Sequence, residues 1–279
     1  MKTFKLSNAI EIPAIGFGTW QIEDGEKVIN AVLNAIDEGY RHIDTAFFYH
    51  NEKGIGQAIK QAPIKREELF ITTKVWNSDR GYEQTLKAFE TSLQNLQLDY
   101  IDLYLIHWPA NEVQFENWKE INSQTWKALE KLYKDGKVKA IGVCNFMVNH
   151  LEALLETCEI KPMINQIEFH PGHTQPEVVA FCKQNDILLE AWSPIGQGKI
   201  LDNDLLKSIA KKHNVNVAQL CIQFALQQGI LPLPKSETPI NIKNNLHLPE
   251  FEISDEDLNT ILKMPSTGFT GLNPNEVTF

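Results

Sequence analysis

Apolar residues gather along this chain in eight short runs, over residues 14–19, 40–44, 69–75, 101–107, 138–143, 163–169, 187–192 and 230–233. Each run is rich in strand-forming residues and bounded by polar, Gly or Pro positions. Over residues 26–38, 81–96, 121–134 and 151–157 the apolar positions instead recur at steps of three and four, the period of an amphipathic helix. Strand, helix and strand in alternation call for parallel crossovers. Eight such repeats fit an α/β fold closed into a (β/α)8 TIM barrel better than an open doubly wound sheet, which usually has fewer strands. Ahead of the first run, residues 4–13 form two short alternating pieces around Ser7-Asn8, which predict an N-terminal β-hairpin able to plug the barrel bottom. Residues 218–228 and 255–263 predict extra helices, the second opened by Ser254 with Asp257 three positions on, as in a capping box. No linker or low-complexity tract divides the chain, so residues 1–279 are expected to form a single domain.

Composition narrows the classes of function. With 43% hydrophobic and 22% charged residues, the 279-residue chain can bury a core without disulfides or metals. A formal charge of −10 opposes a general attraction to nucleic acid, so an anionic ligand needs local positive groups. The N-terminus carries no apolar run like a signal peptide. No segment supplies the ~20 apolar residues of a membrane span, so a cytoplasmic protein without membrane partners is expected. Cys144, Cys158, Cys182 and Cys221 form no Cys-x-x-Cys pair and are expected to be buried free thiols.

Dinucleotide fingerprints fail. Gly16-Phe-Gly-Thr-Trp-Gln21 has Gln21 where a Rossmann loop needs its third glycine, Gly54-x-Gly56 stops short, and no P-loop occurs. A dinucleotide would have to bind at a barrel mouth.

Functional groups of a barrel project from the C-terminal ends of its strands and the loops that follow. Asp44 ends the second run, Tyr49 lies five residues on, Lys74 falls near the end of the third run, and His107 closes the fourth. Singly, each has an ordinary structural role: a helix cap, a half-buried ring, a solvated cation, a satisfied core histidine. A lysine inside Ile71-Thr72-Thr73-Lys74-Val75, however, calls for a nearby anion such as Asp44.

Longer motifs surround these residues. Gly16-Phe-Gly-Thr-Trp20, Asp44-Thr-Ala-x-x-Tyr49-x-Asn-Glu52, Thr-Lys74-Val-Trp, Leu103-Tyr-Leu-Ile-His-Trp-Pro109, Gly142-Val-Cys-Asn-Phe146, Asn165-Gln-Ile-Glu-x-His-Pro171, Ala191-Trp-Ser-Pro194 and Pro234-Lys-Ser236 follow one another along the whole chain. Together the sequence resembles the aldo-keto reductase superfamily, in its bacterial type with a short C-terminal loop. The resemblance implies an NADPH-dependent oxidoreductase, with NADH left open, that reduces aldehydes or ketones as a monomer. It makes Tyr49 the general acid and Asp44, Lys74 and His107 the rest of a tetrad. It places the nicotinamide on Trp192, where Tyr is commoner, its carboxamide on Asn145 and Gln166, and the adenosine 2′-phosphate on Lys235 and Ser236. Gly18, Thr19, Trp20, Asp44, Ser193, Pro194 and Asn245 complete the implied cofactor site. Asn241 stands where an Arg commonly clamps the phosphate and Asn244 replaces an acid, which weakens the NADPH preference unless Lys243 turns inward. Trp20, Phe48, Trp76 and Trp108 match the substrate mouth, and an aromatic wall suits an apolar or flat carbonyl compound.

The chemistry of these groups agrees with the resemblance. A phenol titrates near ~10, and one cation at about 4 Å in an effective dielectric near 20 contributes roughly 4 kcal/mol, or about three pK units, toward the phenolate before desolvation is counted. Lys74 is therefore expected to tune Tyr49, with Asp44 partly offsetting it, while a neutral His107 orients the carbonyl. No side chain supplies a hydride, so that must come from the cofactor.

Two other readings compete. A metal-dependent hydrolase would join His107, His170, His173 and Asp44, but His170-Pro-Gly-His173 lacks the spacing of a helical zinc motif, and no metal is expected. A nicotinamide-sensing regulatory subunit would need the fold and cofactor but not the full tetrad. Cys144 lies near the expected cofactor and would be a redox site only if a cation lowered its pKa. The loop over residues 110–120 and the tail over residues 267–279 are expected to shape the mouth, the short tail leaving it open. Small aldehydes, α-dicarbonyls, aromatic aldehydes and keto-sugars all fit that reading.

Overall fold

The computed structural model describes residues 2–279; Met1, the first residue of the expected domain, lies outside them. Eight parallel strands form the central sheet: β3 (Phe17–Gly18), β4 (His42–Asp44), β5 (Phe70–Val75), β6 (Ile101–Ile106), β7 (Val138–Cys144), β8 (Ile164–Glu168), β9 (Leu188–Trp192) and β10 (Ile230–Leu233), each bonded to the next in sequence order. The ring closes where Gly16 N donates to Pro232 O and Gly18 N to Pro234 O, both at 3.1 Å. Glycine is required at this seam. A Cβ on Gly18 would stand 3.0 Å from Leu233 O, and one on Gly16 would stand 2.5 Å from the His42 ring.

Outside the sheet lie α1 (Glu26–Glu38), α2 (Glu52–Gln61), α3 (Tyr82–Leu96), α4 (Trp118–Lys134), α5 (Val148–Leu155), α6 (Pro176–Gln184), α7 (Asp204–Lys212), α8 (Val217–Gln227), α9 (Pro239–Leu246) and α10 (Asp255–Leu262). The predicted hairpin is present as β1 (Thr3–Lys5) antiparallel to β2 (Glu11–Pro13), with Phe4 opposite Ile12. In its turn Asn8 Nδ2 donates to Lys139 O at 2.9 Å, which fixes the hairpin at the N-terminal end of β7, the barrel bottom. The first predicted strand shrinks to two residues because Ala14 N bonds back to Lys2 O in the hairpin. At α10, Ser254 Oγ accepts from Asp257 N at 3.2 Å, the cap the sequence suggested. A contiguous apolar core runs through the strands from Ile43 and Ile71 to Leu189 and Leu231. No helix among the described residues is long and apolar enough to cross a membrane.

Candidate active site

Strand ends and the loops beyond them bring the site together. After Asp44 the chain turns back: Thr45 Oγ1 donates to Asn51 Oδ1 (2.8 Å), and Asn51 Nδ2 donates to the carbonyls of Thr19 (2.9 Å) and Ile22 (3.1 Å). These ties pin the short 3-10 turn Phe47–Tyr49 and bring the Tyr49 hydroxyl to the strand end. Lys74, fully buried on β5, donates to Asp44 Oδ1 (2.8 Å), to Thr45 O (2.8 Å) and to Tyr49 Oη (3.2 Å). All three ammonium hydrogens are thereby used. The His107 ring stands edge-on to Tyr49 with centroids 5.5 Å apart. The four expected tetrad residues are in one place.

Their electrostatics differ from the ion-pair argument in one respect. Burial pushes the Tyr49 phenol up, Lys74 draws it back, Asp44 and Cys144 push it up again, and the net shift is upward. Removal from water outweighs the lysine, whose charge Asp44 partly cancels. Tyr49 is therefore a protonated phenol at neutral pH, with an ammonium in place to stabilise the phenolate once the proton leaves. Burial pulls the Lys74 ammonium down, but Asp44 and Tyr49 outweigh that and it stays charged. Burial, then the charge of Lys74, hold His107 well below its usual range, so its imidazole is neutral.

Above these groups lies a cavity of about 680 Å³ onto which all four expected mouth aromatics open. Trp20, Phe48 and Trp76 stack in series at 5.8 and 3.7 Å between centroids, and Phe279 continues the stack on Trp76 at 5.7 Å. The tail is thus a wall of the pocket. Residues 110–120 act through it: Asn111 Nδ2 donates to Val277 O (2.8 Å) and Pro274 O (3.1 Å). The tail was expected at the mouth, but which of its residues line the pocket, here Thr270, Leu272 and Phe279, was not legible, because the tail has no periodic pattern.

Most of the expected cofactor residues open onto the same cavity: Gly18, Trp20, Asp44, Asn145, Gln166, Trp192, Ser193, Pro194 and Lys235. Asn145 (φ 65°) and Ser193 (φ 50°) hold left-handed backbones there, strain of the kind that marks ligand clamps. Trp192 Nε1 donates to Asn145 Oδ1 at 2.8 Å and Asn145 Nδ2 to His107 O at 3.0 Å, which fixes the indole beside the tetrad. Ser236 and Asn245 open onto an adjoining cavity of about 770 Å³, with Lys235, Asn241 and Asn244. The two cavities share Lys235 and Ile195, forming a trough suited to an extended ligand with an anionic end. Thr19 reaches neither; it is buried and its hydroxyl donates to Asp44 O at 2.8 Å. Lys243 is exposed, lies toward Glu38 (3.9 Å) and does not line the cavity that Lys235 and Ser236 open onto.

Burial raises the Cys144 thiol well above its usual range, the Lys74 charge notwithstanding. Cys182 and Cys221 are buried too, but Cys158 is only half-buried, because it lies past the end of α5. His170 accompanies Glu168 (3.2 Å), and His173 stacks on Phe269 (4.5 Å). No group of three or more His, Cys, Asp or Glu side chains among the described residues is arranged to hold a metal ion.

Known proteins are similar to this chain in sequence and fold. The sequence profile of the Aldo/keto reductase family matches residues 14–264. Glyoxal reductase of Bacillus subtilis is 52% identical over 99% of this chain and 98% of its own. The crystal structure of MGS-M4, an aldo-keto reductase from a Medee basin deep-sea metagenome, superposes with a TM-score of 0.92 at 43% identity, over 99% of this chain and 100% of that one. A silkworm (Bombyx mori) aldo-keto reductase complexed with NADPH gives 0.87 at 34% identity, over 97% and 89%. The chain belongs to the aldo/keto reductase family.

Proposed function

We propose that this chain reduces small aldehydes and ketones to alcohols with NADPH, and that Tyr49 delivers the proton. The observation that carries the reading is the Lys74 ammonium bonded to both Asp44 and Tyr49 at the foot of an aromatic-lined cavity. The donor set fits the cofactor: Trp192 offers a flat face, Asn145 and Gln166 offer amides, and Lys235 and Ser236 offer a cation and a hydroxyl for a phosphate. When bound, the dihydronicotinamide supplies the hydride. The protein's own part is to orient and protonate. Neutral His107 presents an N–H toward the carbonyl oxygen, Tyr49 gives that oxygen its proton, and Lys74 stabilises the phenolate left behind while Asp44 holds the ammonium in place.

The glyoxal reductase relative supports α-dicarbonyls as the first substrate class to test. The reading extends to a monomer, and one contiguous core supports a single domain over residues 2–279. Four free cysteines support a reducing, cytoplasmic setting. A sensing role would not need the complete tetrad. Tyr49→Phe keeps the ring and removes the acid; kcat for methylglyoxal reduction is expected to fall by about 10²–10⁴-fold with NADPH binding retained by fluorescence titration. Turnover at the wild-type rate in a variant that still binds NADPH would refute Tyr49 as the proton donor.

A further inference from the structure

One buried carboxyl beneath the tetrad takes no part in the chemistry above. Glu190 lies in β9, in register with Gln166 on β8 and Leu231 on β10, and is fully buried. Gln166 Nε2 donates to Glu190 Oε2 at 2.8 Å and to Asp44 Oδ2 at 2.9 Å, so two carboxyl groups share one amide. Glu190 Oε1 has no partner among the described residues. The titratable groups around Glu190 are Asp44 from β4, Lys74 from β5 and Cys144 from β7; β8 presents the neutral Gln166 and β10 the apolar Leu231. Lys74 has already committed its three hydrogens to Asp44, Thr45 and Tyr49, which leaves no cation for a second carboxylate. An unpaired buried charge is costly, and two like charges against one amide do not ionise together.

We propose that Glu190 is a positioning residue for the reduction. In its neutral form it joins Asp44 in fixing both hydrogens of the Gln166 amide, so that the amide oxygen faces the nicotinamide carboxamide; in its ionised form it weakens Tyr49 as an acid. The proposal rests on the reading of Tyr49 and Gln166 given above.

The orientation follows from stoichiometry. A primary amide has two hydrogens, and both are spent on carboxyl oxygens, so only its oxygen is left to accept from the carboxamide NH2. The electrostatic half has a definite sign. Burial first, then Asp44, push the Glu190 carboxyl up to about 8. As pH rises through that value the proton passes to solvent, and a second anion settles beside Asp44 and Lys74. It opposes formation of the Tyr49 phenolate, so reduction slows on the alkaline side.

The test is kcat for aldehyde reduction between about pH 6 and pH 10, with NADPH dissociation constants, for wild type, Glu190→Gln, Glu190→Leu and Tyr49→Phe. Wild type is expected to lose kcat with an inflection near 8, and both Glu190 variants to lack that inflection. Glu190→Leu, which strands one hydrogen of Gln166, is expected to raise the NADPH dissociation constant about tenfold at neutral pH, the equivalent of one hydrogen bond. Glu190→Gln keeps an acceptor oxygen and should raise it less. An inflection that persists in Glu190→Gln overturns the proposal whatever the affinities. Should the leucine variant fail to fold, the infrared carbonyl band of a protonated carboxyl decides: present in wild type at neutral pH and lost in Glu190→Gln supports the assignment, and its absence from wild type overturns it. If Tyr49→Phe turns over like wild type, the catalytic reading fails; an inactive Tyr49→Phe beside a wild-type profile in Glu190→Gln sinks the Glu190 proposal alone.

Discussion

The cation expected to grip the adenosine 2′-phosphate already has a partner: Lys235 Nζ lies 2.8 Å from Glu237 Oε1, and the exposed, neutral Asn241 adds no second charge. A phosphate that recruits Lys235 must accept Glu237 as a neighbour, whereas a free ribose 2′-hydroxyl can donate to that carboxylate. Since both partners are partly exposed, the pair itself contributes at most about 1 kcal/mol, and its influence on cofactor choice is severalfold rather than absolute. Glu237→Gln is expected to raise the ratio of kcat/KM for NADPH over NADH by roughly fivefold, and Lys235→Met to lower it by about tenfold, the scale of a charge-assisted hydrogen bond. Steady-state kinetics with each cofactor checks both. A ratio that neither substitution moves would put the 2′-phosphate somewhere other than Lys235.

Helix α2 shows how tertiary packing hides an element from pattern reading. Gly54 and Gly56 look like breakers in a ten-residue helix, yet a Cβ on Gly56 would lie 2.4 Å from Leu96 O, and one on Gly54 2.4 Å from Val28 Cγ1. They let α2 sit against α1 and the end of α3. Gly56→Ala should therefore destabilise the protein by roughly 1–3 kcal/mol, an overpacking cost that a better helix former cannot offset, seen as a lower midpoint in urea unfolding. An unchanged midpoint would mean that α2 can shift outward freely. The strands were legible because strand-forming runs between turn residues need no partner to be seen, and barrel geometry then placed Asp44, Lys74 and His107 at strand ends. Tyr49 was placed in the loop after Asp44 by the same geometry, but its role as the acid needed the longer motif. Glu190 was not legible, since nothing in Leu188-Leu189-Glu190-Ala191-Trp192 tells which face meets Gln166. Nor was the upward shift of Tyr49, because a sequence names the neighbouring charges but not how much water is removed from around them.

The C-terminal tail is where the whole chain bears on substrate choice. After α10 it has no helix or strand, so amides from the loops after β5 and β6 hold it: Asn77 and Gln114 each donate to Phe279 O at 3.0 Å, beside the Asn111 bonds to Val277 and Pro274. Those bonds seat the Phe279 ring flat on Trp76 and edge-on to Trp108, with centroids 5.3 Å apart in the second pair. An aromatic aldehyde entering the cavity gains that ring as a contact, while a compound the size of methylglyoxal bound at Tyr49 has little reach beyond His107. Aromatic pairs contribute about 0.5–1.5 kcal/mol beyond burial. Phe279→Ala should therefore raise KM for benzaldehyde roughly three- to tenfold and change KM for methylglyoxal by less than about twofold. Asn111→Ala keeps the ring but loosens the strap, and the same split between substrates is expected in weaker form. Equal shifts for both substrates in Phe279→Ala would mean that the tail sets the volume of the mouth and not a ring contact within it.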